Sequence, residues 1–207
     1  TIEKSKLDEI LEMVPTYRSL LVYYDPLKAK FYELCKKLRE FEEKLSDVDL
    51  EPARVVEIPT IYGGEYGPDI EFVASYNNLS VDEIIEIHSS RNYLVYMLGF
   101  TPGFPYLGGM SEEIATPRLK NPRTKIPAGS VGIAGKQTGI YPIDSPGGWQ
   151  LIGRTPVKLF DPFAEPPVLL NSGDYVRFVP VDEREYKSIL NQVKENRYKV
   201  KVTFIDR

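Results

Sequence analysis

The sequence predicts an α+β fold: a small α/β unit over residues 1–62, then a mainly antiparallel β-barrel over 63–207. Three observations carry this. Apolar residues recur at helical spacing up to residue 45. After Arg91 the pattern changes to short β-branched and aromatic runs separated by Gly and Pro. Between the two regimes, "GGEYGPD" at 63–69 has the composition of a hinge.

Each element has its own signal. Leu7, Ile10, Leu11 and Val14 follow the i, i+3, i+4, i+7 rule of a short amphipathic helix that Pro15 ends. "TYRSLLVYYD" has apolar side chains on both faces and reads as a central strand. Asp25 and Pro26 suit an N-cap and a first helical position. Leu27, Phe31, Leu34, Leu38, Phe41 and Leu45 then keep helical spacing, with Glu33–Lys37 and Glu40–Lys44 pairs on the wet face. "ARVVEIPTIY" reads as a strand that closes this unit. The unit lacks an opening strand.

Two short helices follow, near 69–77 and 81–88, and Ser80 with Glu83 forms a capping box for the second. "NYLVYMLGF", "SVGIAG", "GWQLIGRTPVKLF", "DYVRFVPV" and "KVKVTFI" are the barrel strands. A helix at about 183–195 interrupts them.

Residues 127–156, "PAGSVGIAGKQTGIYPIDSPGGWQLIGRTP", hold seven of the fifteen glycines, four of the seventeen prolines and the sole tryptophan, Trp149. A flexible linker has few large apolar residues. Here Val131, Ile133, Ile140, Tyr141, Ile143, Leu151 and Ile152 are interleaved with the turn formers, so the segment reads as packed strand and tight turn. Two readings stay open. It is either a tortuous barrel segment, or a surface whose glycines let a ligand approach backbone amides, beside Gln137, Thr138, Tyr141 and Arg154.

Composition removes several function classes. Hydrophobic residues are 42%, charged residues 27% and the net charge is −4, the profile of a globular chain poorly suited to polyanions. No apolar run approaches the roughly 18 residues of a membrane helix, and no basic-then-apolar leader is visible. One cysteine, Cys35, excludes an internal disulfide, suits a reducing cytoplasm, and reads as a buried, inert thiol beside Leu34 and Leu38. With His88 the single histidine, no zinc site is expected. Gly129 is followed by five residues before Gly135-Lys136-Gln137, which breaks the phosphate-loop pattern. "IEFVASYNNLSVDEIIEIHSS" has a helix-turn-helix rhythm, but Asp82, Glu83 and Glu86 would repel phosphate. His88 completes a stripe with Val81, Ile84 and Ile85 and so faces inward. It is either a packed histidine or a titrating group, and both readings stay open.

"HSSRNYLVYMLGFTPGFPYLGGM", "TPRLKNPRTKIPAGSVGIAGKQTGIYPIDSPGGWQLIGRTP", "VPTYRSLLVYYDP" and "YGGEYGPDIEFVA" together resemble one family. It contains the B component of 5-oxoprolinase (PxpB), the sporulation-kinase inhibitor KipI, allophanate hydrolase subunit 1, and part of the carboxyltransferase domain of urea carboxylase. The resemblance spans roughly residues 13–187. It implies a ferredoxin-like domain followed by a cyclophilin-like barrel. It implies a cytoplasmic, non-autonomous component of an ATP-dependent 5-oxoprolinase that opens 5-oxoproline to glutamate. Its partners would be the A and C components of that enzyme, the latter like allophanate hydrolase subunit 2. ATP would act in the assembled complex, and no metal site is expected in this chain. The competing implications are inhibition of a sensor histidine kinase and an allophanate hydrolase or urea carboxylase role.

Resemblance and side-chain chemistry together nominate His88, Gln137 and Arg154 as catalytic residues. His88 would be the acid or base, Gln137 the amide partner and Arg154 the anion holder. Tyr141 and Trp149 would line the same pocket, with Pro102 and Phe104 on its rim.

Overall fold

The computed structural model describes residues 2–5, 7–16, 19–43 and 51–206. The chain divides into two compact units, Thr1–Pro52 with Asp206–Arg207, and Ala53–Ile205. Gly63, the expected boundary, lies ten residues beyond this division, and the "ARVVEIPTIY" strand belongs to the second unit.

The first unit holds helix α1 (Ile2–Ser5), strands β1 (Ile10–Pro15) and β2 (Leu20–Tyr24), and helix α2 (Phe31–Glu43). The expected helix at Leu7–Val14 is therefore a strand. β1 and β2 pair antiparallel, with Val14 opposite Leu21 and Met13 opposite Val22. The turn between them is closed by Thr16, whose N–H donates to the Ser19 carbonyl at 2.8 Å. Pairing across that turn satisfies the backbone groups a helix would have satisfied, and a short apolar run fits either period. The strand expected to be central is one half of this two-stranded sheet, and Leu20, Leu21 and Tyr23 are exposed.

Helix α2 begins later than the Asp25-Pro26 signal predicts. Asp25 instead caps a turn, its Oδ1 accepting the Leu27 N–H at 2.9 Å, and Leu27 is left exposed. Lys37 pairs with Glu9 at 2.6 Å rather than with Glu33. Leu34 is buried, whereas Cys35 is only half-buried. Tyr17, Arg18, Lys44 and Leu45, which belong to the expected strand and helix, lie outside the described residues.

The second unit is built on an eight-stranded sheet. Its strands are β3 (Ala53–Tyr62), β4 (Asn92–Leu98), β5 (Pro105–Gly108), β7 (Ser130–Ala134), β8 (Gln137–Ile140), β10 (Gln150–Arg154), β11 (Tyr175–Pro180) and β12 (Val202–Ile205). The order is β5-β4-β11-β3-β10-β7-β8, and β12 pairs with the first half of β3. The end strands β5 and β8 lie against each other, so the sheet curls into a nearly closed barrel. β6 (Arg123–Ile126) and β9 (Ser145–Gly147) form a separate two-stranded ribbon. The pairing is antiparallel as expected, except that β11 runs parallel to β3 from Val55–Tyr175 to Thr60–Pro180.

Helices α3 (Ile70–Asn77) and α4 (Val81–Ser89) carry Ile70, Val73 and Ile84 into the barrel core, against Val56, Ile58, Tyr93 and Phe178. The expected capping box opens α4: the Ser80 side chain accepts from the Glu83 N–H at 3.2 Å, and the Ser80 N–H donates to Glu83 Oε2 at 2.7 Å. Helix α5 (Glu183–Lys194) is capped by Asp182.

Candidate functional site

A second, smaller apolar cluster sits apart from the main core and contains Phe104, Ile126, Ala134, Tyr141, Trp149 and Leu151. Phe104 is its hub. Its ring makes edge contacts with Phe100 at 5.5 Å, Tyr106 at 5.5 Å, Tyr141 at 5.6 Å and Trp149 at 5.8 Å. These rings wall a cavity of about 480 Å³, in the size range of small-ligand sites. Tyr106 comes from β5 and Gln137 from β8, so the cavity opens at the seam where the barrel's two end strands meet without a ladder.

The glycines of the signature shape this wall. A Cβ on Gly139 would stand 3.1 Å from Trp149 Cζ3, and one on Gly147 would stand 2.5 Å from the Tyr141 hydroxyl. Both therefore admit the protein's own aromatic rings. Phe100, at the rim, has φ of 62°, a left-handed conformation that a bulky residue seldom adopts.

The backbone that presents Trp149 is clamped. Asp69, just before α3, accepts from Arg123 through Oδ1 at 2.7 Å and from the Leu151 N–H through Oδ2 at 2.6 Å. Its own N–H donates to the Leu151 carbonyl at 2.9 Å. Arg123 Nη1 also donates to the Trp149 carbonyl at 3.4 Å. One half-buried ion pair thus fixes both ends of the segment 149–151.

Of the nominated residues, the structure brings Phe104, Gln137, Tyr141 and Trp149 into one cavity. It does not bring His88, Arg154 or Pro102 there. Pro102 lines a shallow neighbouring depression with Gly99 and Thr101, and Phe100 borders both. Arg154 ends β10 with its guanidinium 5.7 Å from the centroid of Tyr66, which itself packs on Tyr186 at 4.8 Å. Its Nε is buried without a hydrogen-bond partner among the described residues.

His88 is wholly buried in the main core, with its ring 4.4 Å from that of Phe178. Nδ1 lies 2.8 Å from the Tyr62 hydroxyl and Nε2 lies 2.8 Å from Thr138 Oγ1. Thr138 Oγ1 gives its own proton to the Gly132 carbonyl at 3.1 Å, so it must accept from Nε2–H. Nδ1 then accepts from Tyr62. Burial, with a smaller push from the Arg91 charge, lowers the His88 pKa to about 3. The packed, neutral histidine is the form that this geometry supports.

Sequence reasoning does not single out Phe100, Tyr106, Arg118, Pro122 or Pro146, which also line the cavity. All lie within the two long signature segments, but no spacing rule joins them. Arg118 is the one charged residue among the lining side chains. Tyr141 has its pKa raised to about 12 by burial, against the pull of Arg118 and Arg123, so it stays a protonated donor. Among the described residues, no group of three or more His, Cys, Asp and Glu side chains could hold a metal ion.

Comparison with known proteins adds the lineage. Residues 1–170 match the family model for the carboxyltransferase domain, subdomain C and D. The chain belongs to this family. It is 52% identical to the B component of 5-oxoprolinase from Bacillus subtilis over 200 residues, covering 89% of this chain and 81% of that protein. The crystal structure of a conserved uncharacterized protein from Pyrococcus horikoshii is 58% identical, with a TM-score of 0.62, and covers 89% of this chain and 85% of that one. The urea amidolyase of Saccharomyces cerevisiae is more distant, 28% identical over 97% of this chain and only 12% of its own length.

Proposed function

We propose that this chain is the B component of a multi-subunit, ATP-dependent 5-oxoprolinase that opens 5-oxoproline to glutamate, and that the aromatic cavity receives the lactam. The observation that carries the reading is the 52% identity, across most of both chains, to a protein named as that component in Bacillus subtilis.

The chemistry of the cavity agrees with it. A five-membered lactam is small and flat, and edge-packed rings offer it flat apolar walls. Gln137 both donates and accepts, as the N–H and C=O of a cyclic amide require. Tyr141, held protonated, adds a donor.

A triphosphate does not fit the same place. Arg118 is the single cation of the lining, too little charge for a polyphosphate. On this reading ATP binds elsewhere in a cytoplasmic complex with the A and C components, and residues 1–52 form part of a ferredoxin-like domain. Among the described residues, no helix is long and apolar enough to cross a membrane.

The test is reconstitution. The chain should co-purify with the products of neighbouring genes for the A and C components, and that complex should form glutamate only with both ATP and 5-oxoproline. A complex that makes no glutamate, from a chain that instead inhibits a sensor histidine kinase, would overturn the reading.

A further inference from the structure

We propose that Arg118 is the residue that makes this cavity select an acid: it anchors the carboxylate of the lactam while Gln137 and Tyr141 meet the ring amide. This rests on the preceding assignment of 5-oxoproline as substrate.

Three observations carry it. First, Arg118 has no hydrogen bond or ion pair among the described residues, and neither do the side-chain amide of Gln137 and the hydroxyl of Tyr141. Three other arginines are engaged: Arg54 faces Asp174, Arg123 grips Asp69 and Arg154 lies over Tyr66. Arg39, Arg177 and Arg184 also lack such contacts among the described residues, but none of them lines this cavity. No acidic side chain lines the cavity to neutralise Arg118. Three unpartnered polar groups of complementary kind converge on one apolar chamber.

Second, the backbone on each side of Arg118 is pinned although the side chain is exposed. Thr116 bridges Gly135 in both directions, at 2.7 and 3.2 Å. The Pro117 carbonyl accepts from Gln150 Nε2 at 2.9 Å, and the Leu119 N–H donates to the Gly148 carbonyl at 2.7 Å. The guanidinium therefore swings from a fixed base beside Gly148 and Trp149, which limits the ordering cost of binding.

Third, the charge count matches. One planar guanidinium can take one carboxylate through two parallel charged hydrogen bonds. The partly apolar surroundings strengthen that pairing relative to open water.

The test compares Arg118→Gln and Arg118→Lys with the parent in the assembled complex. Arg118→Gln is expected to raise KM for 5-oxoproline about ten- to a hundred-fold, with kcat little changed, because a charge-assisted bond is lost away from the reacting amide. Arg118→Lys should recover part of this. Inhibition by 2-pyrrolidinone, the same ring without the carboxylate, should be equal in all three, and so should the thermal midpoint followed by Trp149 fluorescence. An unchanged KM in Arg118→Gln, or equal weakening toward 2-pyrrolidinone, overturns the proposal. If the complex makes no glutamate, the functional reading falls separately. Titration of the isolated 207-residue chain with 5-oxoproline, read by Trp149 emission, then decides: a saturable change abolished by Arg118→Gln upholds the anchor, and the same change in both proteins, or none in the parent, sinks it.

Discussion

His88 Nε2 lies 2.8 Å from Thr138 Oγ1, and the neighbouring residue on the strand, Gln137, lines the cavity on the opposite face of the sheet. The core histidine and the cavity wall are therefore two sides of one strand. The histidine works from behind, holding β8 to α4.

That arrangement makes stability depend on pH. The folded His88 has a pKa of about 3, and the ordinary value is 6.5. Between those values the unfolded chain takes up a proton that the folded chain refuses. Stability is therefore complete above pH 6.5 and is lost as pH falls toward 3. Between pH 7.5 and 5.0 the loss from this group should be about 2 kcal/mol. Urea midpoints followed by Trp149 fluorescence should fall across that interval in the parent and more shallowly in His88→Gln. Parallel slopes for the two proteins would refute the assignment.

Asp69→Ala should cost about 2–3 kcal/mol, less than a fully buried pair because Arg123 is partly solvated. It removes the acceptor of the Leu151 N–H and frees the guanidinium that steadies the Trp149 carbonyl. Trp149 emission should shift to the red in the folded variant. A stable variant with parent-like emission would show that the clamp does not position the ring.

Gly139→Ala places a methyl against Trp149 and Phe104, and overpacking of this kind costs about 1–3 kcal/mol. The rings stand on the cavity wall, so KM for 5-oxoproline in the assembled complex should rise together with the loss of stability. Loss of stability with an unchanged KM would separate the wall from the substrate.

The legible parts of the sequence are those governed by local chemistry. Ser80 and Glu83 announce their capping box, and the runs rich in β-branched, aromatic and other apolar residues at 92–98, 130–134 and 175–180 are strands. The stripe Val81, Ile84, Ile85 and His88 correctly turns the histidine inward. Leu7–Val14 misleads because hairpin pairing decides between two periods that the apolar residues fit equally. Arg118 escapes notice because its position is set by bonds to residues 135, 148 and 150, which no local window contains. Arg154 and His88 group with Gln137 on chemical suitability, but the fold sends them elsewhere: His88 enters the core from helix α4. Gln137 faces the cavity, its neighbour Thr138 faces the core, and Arg154 ends its strand against Tyr66.

Strand β3 lies in the middle of the sheet, yet every strand it touches is made late. Tyr62 pairs with Gly153, Val55 with Tyr175, and Ala53 with Ile205. During synthesis, a ribosome that has released β3, α3, α4 and β4 has produced no strand with which β3 can pair. The closure entropy of those long loops must be met before any ladder forms. The nascent barrel thus carries an open, Val/Ile-rich strand until β10, β11 and β12 have emerged, and that interval is the opportunity for a chaperone to hold it.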